Sequence, residues 1–179
     1  FKNDNFSDFD YQTLNDLYKV QKDKVKGYDK QIEEYMTEIM QSYMVEAGGY
    51  EDIEKLENYY RYVADNTENL YQYCRWIYGK HPTDDMIEEY IKNGNMYFAE
   101  EGDMVVAAAA VTFFQNEDYH PVQWNVDAAD DEVAVIHILC INPEKQRCGI
   151  AKKVVNEIID LAKTQRMKAV RLDALCCNT

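Results

Sequence analysis

The residues best suited to chemistry lie between Val133 and Thr164. An apolar, β-branched run, VAVIHILCINP, ends at Pro143. The polar turn EKQRCGIA follows, and then the amphipathic segment KKVVNEIIDLAKT. Gln146, Arg147, Cys148 and Gly149 therefore sit between a strand and the start of a helix. The first N–H groups of a helix lack partners within it, and the helix dipole adds partial positive charge there. Such a turn is an anion site, most often for phosphate. His137 is the leading candidate for a base, because imidazole titrates near neutral pH. Strand alternation puts Val135, His137 and Leu139 on one face. The same residue reads equally as a buried histidine bonded to a neighbouring strand. Glu132, at the strand entrance, is a second candidate base and competes with a solvated loop carboxylate. Cys140 and Cys148 have no histidine or acid partner nearby in the motif, so neither is expected to act as a nucleophile. His81 and His120 lie in turns and are expected to be exposed.

Composition bounds what such a site could serve. The 179 residues make one domain, or one domain with an extension. They are 46% hydrophobic without an apolar run of about 18 residues, so no membrane span is expected. The formal charge of −14 argues against nucleic acid and anionic membrane surfaces as partners and is compatible with amine substrates. The five cysteines, Cys74, Cys140, Cys148, Cys176 and Cys177, are odd in number and form no C-x-x-C pair. Neither a disulfide framework nor a metal site is expected. Reduced thiols in a cytoplasmic protein are the preferred reading, and a vicinal Cys176–Cys177 bridge is not expected. The start, FKNDNFSDFD, carries no secretory signal, and Phe1 in place of Met suggests a processed or trimmed product.

The elements that must position these residues can be read in order. Residues 1–58 read as a helical N-terminal extension. A short helix surrounds Leu14, Leu17 and Tyr18. A long one from Asp29 to Ala47 carries Ile32, Tyr35, Met36, Ile39, Met40, Tyr43 and Met44 at helical spacing and stops at Gly48-Gly49. A third is suggested by Ile53, Leu56 and Tyr60. The Met and Tyr stripe of the long helix reads as a packing face, with a partner-binding groove as the alternative. From Tyr59, YYRYVAD reads as a first strand, followed by a helix to about Tyr78 and another over Thr83–Lys92 with Thr83 as its cap. MYFAEE and MVVAAAAVTFF read as a hairpin turning at Gly102-Asp103. Residues 116–131 read as a polar loop, 133–141 as a buried strand, 149–165 as a helix, and AVRLDAL as a strand parallel to 133–141 with a right-handed crossover.

That order, with Gln146, Arg147, Cys148, Gly149, Ile150 and Ala151 in the turn, resembles the GNAT superfamily of N-acetyltransferases, whose signature is Gln/Arg-x-x-Gly-x-Gly/Ala. The Ile-His pair, the proline ending that strand, and Arg-Leu-Asp followed by Asn178 are similar to family members. The resemblance covers about Tyr59 to Thr179. It implies a mixed α/β (α+β) fold of the acyl-CoA N-acetyltransferase kind, with domains 1–58 and 59–179. Positions 147 and 148 depart from the Gly or Lys common there; their side chains are tolerable if φ stays below zero. The family continues past this end with a helix and two strands carrying a tyrosine general acid, so that role has no residue here.

The resemblance implies transfer of an acetyl group from acetyl-CoA to a primary amine of a small-molecule or amino-acid-like acceptor, directly within a ternary complex. Leu139, Cys140 and Ile141 would pair with the pantetheine arm. Gln146, Arg147, Cys148, Gly149, Ile150, Ala151 and Lys152 would wrap the pyrophosphate, and Asn178 would also contact the cofactor. The oxygen donor is usually a backbone N–H near Leu139. His137 or Glu132 would be the base, and Tyr78, Tyr119 and Trp124 would line the acceptor pocket. A homodimer is compatible with this reading. The alternatives are an acyl-CoA-binding pseudoenzyme and an interaction module that uses the N-terminal helices.

Overall fold

A computed structural model describes residues 46–175. The upstream helices expected before residue 46, together with Cys176, Cys177 and Asn178, lie outside the described residues. Glu46–Ala47 (β1) was expected to end a helix. It is instead a short edge strand pairing Glu46 with Phe98 and Ala47 with Tyr97. The buried Gly48 extends this contact, its N–H donating to the Met96 carbonyl at 2.9 Å.

The expected strand YYRYVAD is a helix, α1, which runs Ile53–Asn66. Tyrosine and valine favour strands, but burial follows the helical period. Leu56, Tyr59, Tyr60 and Val63 face inward and Arg61 is exposed, whereas alternation would have buried Arg61 beside Tyr59 and Val63. The helix expected up to Tyr78 shrinks to Leu70–Cys74 (α2). It is flanked by Asn69 and Arg75, whose φ values of 57° and 61° are left-handed and break the helix at both ends. α3, Asp84–Lys92, starts where its cap was expected, with Thr83 Oγ1 accepting from the Met86 N–H at 3.2 Å.

Met96–Glu101 (β2) and Met104–Thr112 (β3) form the hairpin, turning at Gly102 with φ 63°. Val133–Ile141 (β4) lies antiparallel to β3. The crossover helix Ile150–Thr164 (α4) leads to Ala169–Leu172 (β5), parallel to β4. The sheet order is β1-β2-β3-β4-β5. α1 and α3 cover one face, packing Leu56, Tyr60 and Ile87 in one cluster with Met96 of β2. α4 covers the other, setting Ile150, Val154, Ile158 and Ala162 against Ala107, Ala109, Ala134 and Ile136. The run Ala107–Ala110 is at most 1% exposed. Its small side chains let helices approach both faces of the same strand, which explains alanine in a position that propensity disfavours. Among the described residues no helix is long and apolar enough to cross a membrane.

One irregularity in the sheet lies in β4 beside His137. Ala108 pairs with Cys140 and Ala110 with His137, so Ile138 and Leu139 together stand opposite Ala109. This is a β-bulge: it adds a residue to β4 and takes local backbone out of the ladder. Ile138 has φ 43°, an uncommon conformation for a β-branched residue, so the neighbours must hold it. Two α1 hydroxyls do so. Tyr60 Oη donates to the Ile138 carbonyl at 3.0 Å and Tyr59 Oη to the Cys140 carbonyl at 3.2 Å, both in the core. The registered pairs of β4 with β5 end at Ile136–Leu172, so His137–Ile141 runs on beyond them.

Two substitutions test this packing. Ala108→Leu overfills the space between β3 and α1 and should lower unfolding free energy by about 1–3 kcal/mol in a urea titration; an unchanged midpoint contradicts the close approach. Tyr60→Phe leaves the Ile138 carbonyl buried without that donor and should cost about 1–3 kcal/mol. A neutral result would mean that the bulge stands without the hydroxyl.

Candidate active site

The turn between β4 and α4 is assembled from the strand end outward. Asn142 is buried. Its Nδ2 donates to the Val105 carbonyl at 3.2 Å, and its Oδ1 accepts from the Glu144 N–H at 3.0 Å. Pro143–Lys145 is a single 3-10 turn, and the Tyr62 hydroxyl donates to Glu144 Oε1 at 2.8 Å. Arg147, Cys148, Gly149, Ala151 and Lys152 are exposed. Gly149 takes φ 79° directly before α4, and a Cβ added there would meet no atom within 4 Å. No side chain caps α4, so the N–H groups of its first turn are open to the solvent side. Arg147 corrects one expectation: its φ is 61°, not below zero. The turn needs a left-handed residue there, which accounts for glycine at this position elsewhere and places a non-glycine residue under about 1–2 kcal/mol of backbone strain. The geometry fits an anionic group cradled by backbone N–H, with Arg147 and Lys152 nearby in sequence to add charge.

His137 stands at the other side of the bulge, half-buried on the sheet face opposite α4. Its Nε2 lies 3.0 Å from Thr112 Oγ1, which itself donates to the Phe114 carbonyl at 3.0 Å. The hydroxyl proton is thereby committed, so Thr112 accepts and Nε2 carries the imidazole proton. This bond network assigns Nδ1 as the basic nitrogen. The Tyr90 ring stacks on the imidazole at 5.9 Å. Burial holds the His137 pKa below the ordinary histidine range, opposed by the Asp173 carboxylate, which favours the charged form. Glu132 is placed differently. Its carboxylate pairs with Lys168 at 2.6 Å and accepts the Ala129 N–H at 3.0 Å; the Lys168 bond first, then the backbone bond, hold its pKa down. His137 lies five residue steps along the strand from it, about 16 Å. The two candidate bases are not brought together.

The three aromatic candidates also divide. Tyr119 and Trp124 line a cavity of about 600 Å³ together with Gln115, His120, Asp130 and Arg171. The Tyr119 hydroxyl donates to Asp173 Oδ1 at 2.7 Å and is pushed up to about 12 by burial and by that bond. Trp124 Nε1 donates to the Tyr119 carbonyl at 3.4 Å. Tyr78 does not line this cavity. Its hydroxyl lies between the Glu57 carbonyl, 3.0 Å away, and the Asp84 carboxylate, tying α1 to the start of α3. Burial pushes the Cys140 thiol up to about 12, so it stays protonated at neutral pH, and Cys148 is exposed. His81 is exposed, and His120, also exposed, pairs with Asp130 at 2.8 Å. Among the described residues no His, Cys, Asp or Glu group is arranged to hold a metal.

Sequence reasoning passed over Thr112 and Asp173, and it placed Tyr60 on a helical stripe without its bond to Ile138. Thr112 ends β3, and only the β3–β4 register, pairing it with Val135, brings it to His137. Tyr60 reads from sequence both on the helix of Ile53 and Leu56 and in the strand YYRYVAD, and the structure keeps the helix. Arg171 did carry a signal: a charge at an inward position of the apolar strand AVRL, where it is 5% exposed.

Comparison with known proteins agrees with this geometry. The Acetyltransferase (GNAT) family matches residues 52–179. No curated protein matches the chain. Among solved structures, an acetyltransferase from Staphylococcus aureus Mu50 is 23% identical, with a TM-score of 0.55 over 72% of this chain and 78% of that one. An aminoglycoside acetyltransferase from an uncultured soil metagenomic sample is 15% identical, with a TM-score of 0.52 over 77% and 81%. An aminoglycoside N-acetyltransferase solved with CoA is 12% identical, with a TM-score of 0.52 over 75% and 81%. At these identities the likeness to solved structures is one of fold: a mixed sheet flanked by helices. The family match spans most of the chain, which belongs to the GNAT acetyltransferase family and is an acyltransferase with acetyl-CoA as its co-substrate.

Proposed function

We propose that the chain transfers the acetyl group of acetyl-CoA to a primary amine of a small molecule, by direct attack within a ternary complex. The observation that carries this reading is the bulged β4 strand lying between an uncapped helix start and a half-buried histidine whose Nδ1 is free to accept a proton. Gln146 to Lys152 hold the pyrophosphate through backbone N–H groups. The edge of Leu139, Cys140 and Ile141, beyond the end of the β5 ladder, takes the pantetheine arm. The bulge supplies a backbone N–H for the oxygen on which charge develops. His137 Nδ1 accepts the proton that the amine must lose to attack, and Thr112 keeps the ring in that tautomer. The aminoglycoside acetyltransferases of the same fold support a small-molecule amine as acceptor. The free thiols of Cys74, Cys140 and Cys148 support a reducing compartment such as the cytoplasm.

The test is amine-dependent release of the coenzyme thiol across an amine panel, for the native chain and for His137→Ala. The substitution should lower kcat by about 10²–10⁴-fold and leave acetyl-CoA affinity unchanged; equal turnover removes His137 from the mechanism. Because burial keeps His137 neutral in the fold, activity should hold at neutral pH and fall once pH drops below the ordinary imidazole range. Stability should follow the same direction. The folded pKa lies below the unfolded one, so the unfolded chain takes up the proton first and this contribution is lost as pH falls. In His137→Ala that acid limb should disappear from the pH profile. Persistence of the limb would assign it to another group.

A further inference from the structure

The cavity of Tyr119 and Trp124 contains a charge that the acetyl-transfer scheme does not use. Arg171 is 5% exposed. Its Nη1 donates to Gln115 Oε1 at 2.5 Å, its Nη2 to the Val126 carbonyl at 2.8 Å, and the guanidinium lies 4.7 Å over the Trp124 ring. All of these partners are neutral. Among the described residues no carboxylate pairs with Arg171. A guanidinium does not lose its proton, and a buried charge without a counter-ion is costly. Asp130 lies on the same cavity wall yet is committed elsewhere, to His120 at 2.8 Å and to Gln115 Nε2 at 3.2 Å. Gln115, itself 3% exposed, therefore spans the two charges and keeps the carboxylate off the arginine. Two of the five guanidinium N–H groups are used, and three remain.

We propose that Arg171 is the carboxylate anchor of this cavity, and that the amine acceptor is amino-acid-like, bearing a carboxylate as well as the reacting nitrogen. The proposal rests on the acetyl-transfer reading of the same site. A planar two-oxygen anion matches the forked donors that remain, and Trp124 holds the guanidinium plane in place. Asp173 lies two residues beyond Arg171, about 6.6 Å along an extended chain. It accepts from Tyr119 and acts electrostatically on His137. Asp173 and His137 lie beyond the cavity lining, behind Tyr119, so a ligand with its carboxylate on Arg171 must extend its ammonium end past Tyr119 toward them. The cavity, about 600 Å³, suits a molecule of that class. The strongly acidic chain, at −14, explains why a positive charge must be built into the pocket for an anionic group to enter it.

The experiment uses the full chain and matched pairs: each of the common amino acids, the amine that its decarboxylation leaves, and phosphoethanolamine. The first readout, without acetyl donor, is the Trp124 indole N–H resonance during titration. The second is kcat/KM with acetyl-CoA. Arg171→Lys keeps the charge and loses the fork. Gln115→Glu keeps the arginine and neutralises it with a carboxylate, so the question stays open to test if the first variant fails to fold. We expect at least one amino acid to shift the indole signal and to exceed its decarboxylated partner in kcat/KM by about tenfold or more. Both variants should erase that preference. Equal turnover of acid and amine, or a preference for phosphoethanolamine, overturns the carboxylate assignment while acetyl transfer stands. An indole shift with amino acids and no turnover of any amine overturns the transfer reading while the anchor stands. No indole shift with any amino acid overturns the anchor.

Discussion

The structure depends on a hydroxyl from a helix meeting a carbonyl in the centre of a sheet. Tyr60, fully buried on α1, donates to Ile138, whose backbone has left the β region. A β-branched residue does not occupy φ 43° for its own sake. The bulge persists because removing it would orphan the tyrosine hydroxyl in the core and unseat α1 from the sheet. Core packing and site geometry are therefore one constraint. The apolar contacts of Leu56, Ile87 and Met96 seat α1, and the seated helix holds the irregular strand. The strand in turn separates His137 from Leu139 by a kinked rather than an alternating backbone.

From that point the site divides by chemistry. On one side of the bulge is backbone: N–H groups at the start of α4 and along the end of β4, suited to a phosphate and an amide arm. On the other side are side chains: His137 with its tautomer set by Thr112, then Asp173 with Tyr119, then Arg171 with Gln115 and Trp124. The division has a physical basis. Backbone donors recognise a cofactor whose shape is constant, and they are insensitive to substitution. Side chains on the strand ends and the 116–131 loop can change without disturbing the sheet, which suits them to the acceptor recognition proposed above.

Much of this order was legible from sequence. The hairpin, β4, α3 and α4 each combine a clear hydrophobic period with punctuation: Gly102-Asp103, Pro143, Thr83, Gly149. Where only one of these signals was present the reading failed. YYRYVAD has strand-forming residues and no breaker on its N-terminal side; the helical spacing of Ile53, Leu56 and Tyr60 marks the helix that the structure carries through it to Asn66. The bulge has no sequence mark, since Ile138 is among the least suitable residues for its conformation. The left-handed turn at Arg147 is hidden for the same reason. The candidate phosphate turn and the candidate base could be proposed from sequence because motif and alternation are local. The partners that tune them, Thr112, Asp173 and Tyr60, come from other elements and appear only with the register of β3 on β4 and the packing of α1.

The central claim is that the bulge of β4 and the open start of α4 act as a single backbone cradle for the acetyl donor. The most direct measurement is the set of backbone amide NMR shifts of the full chain on titration with acetyl-CoA. The account predicts that the largest changes fall on Leu139 to Ile141 and on Gly149 to Lys152, saturating together at one affinity. Changes confined to other elements, or two groups that saturate at different concentrations, would contradict it.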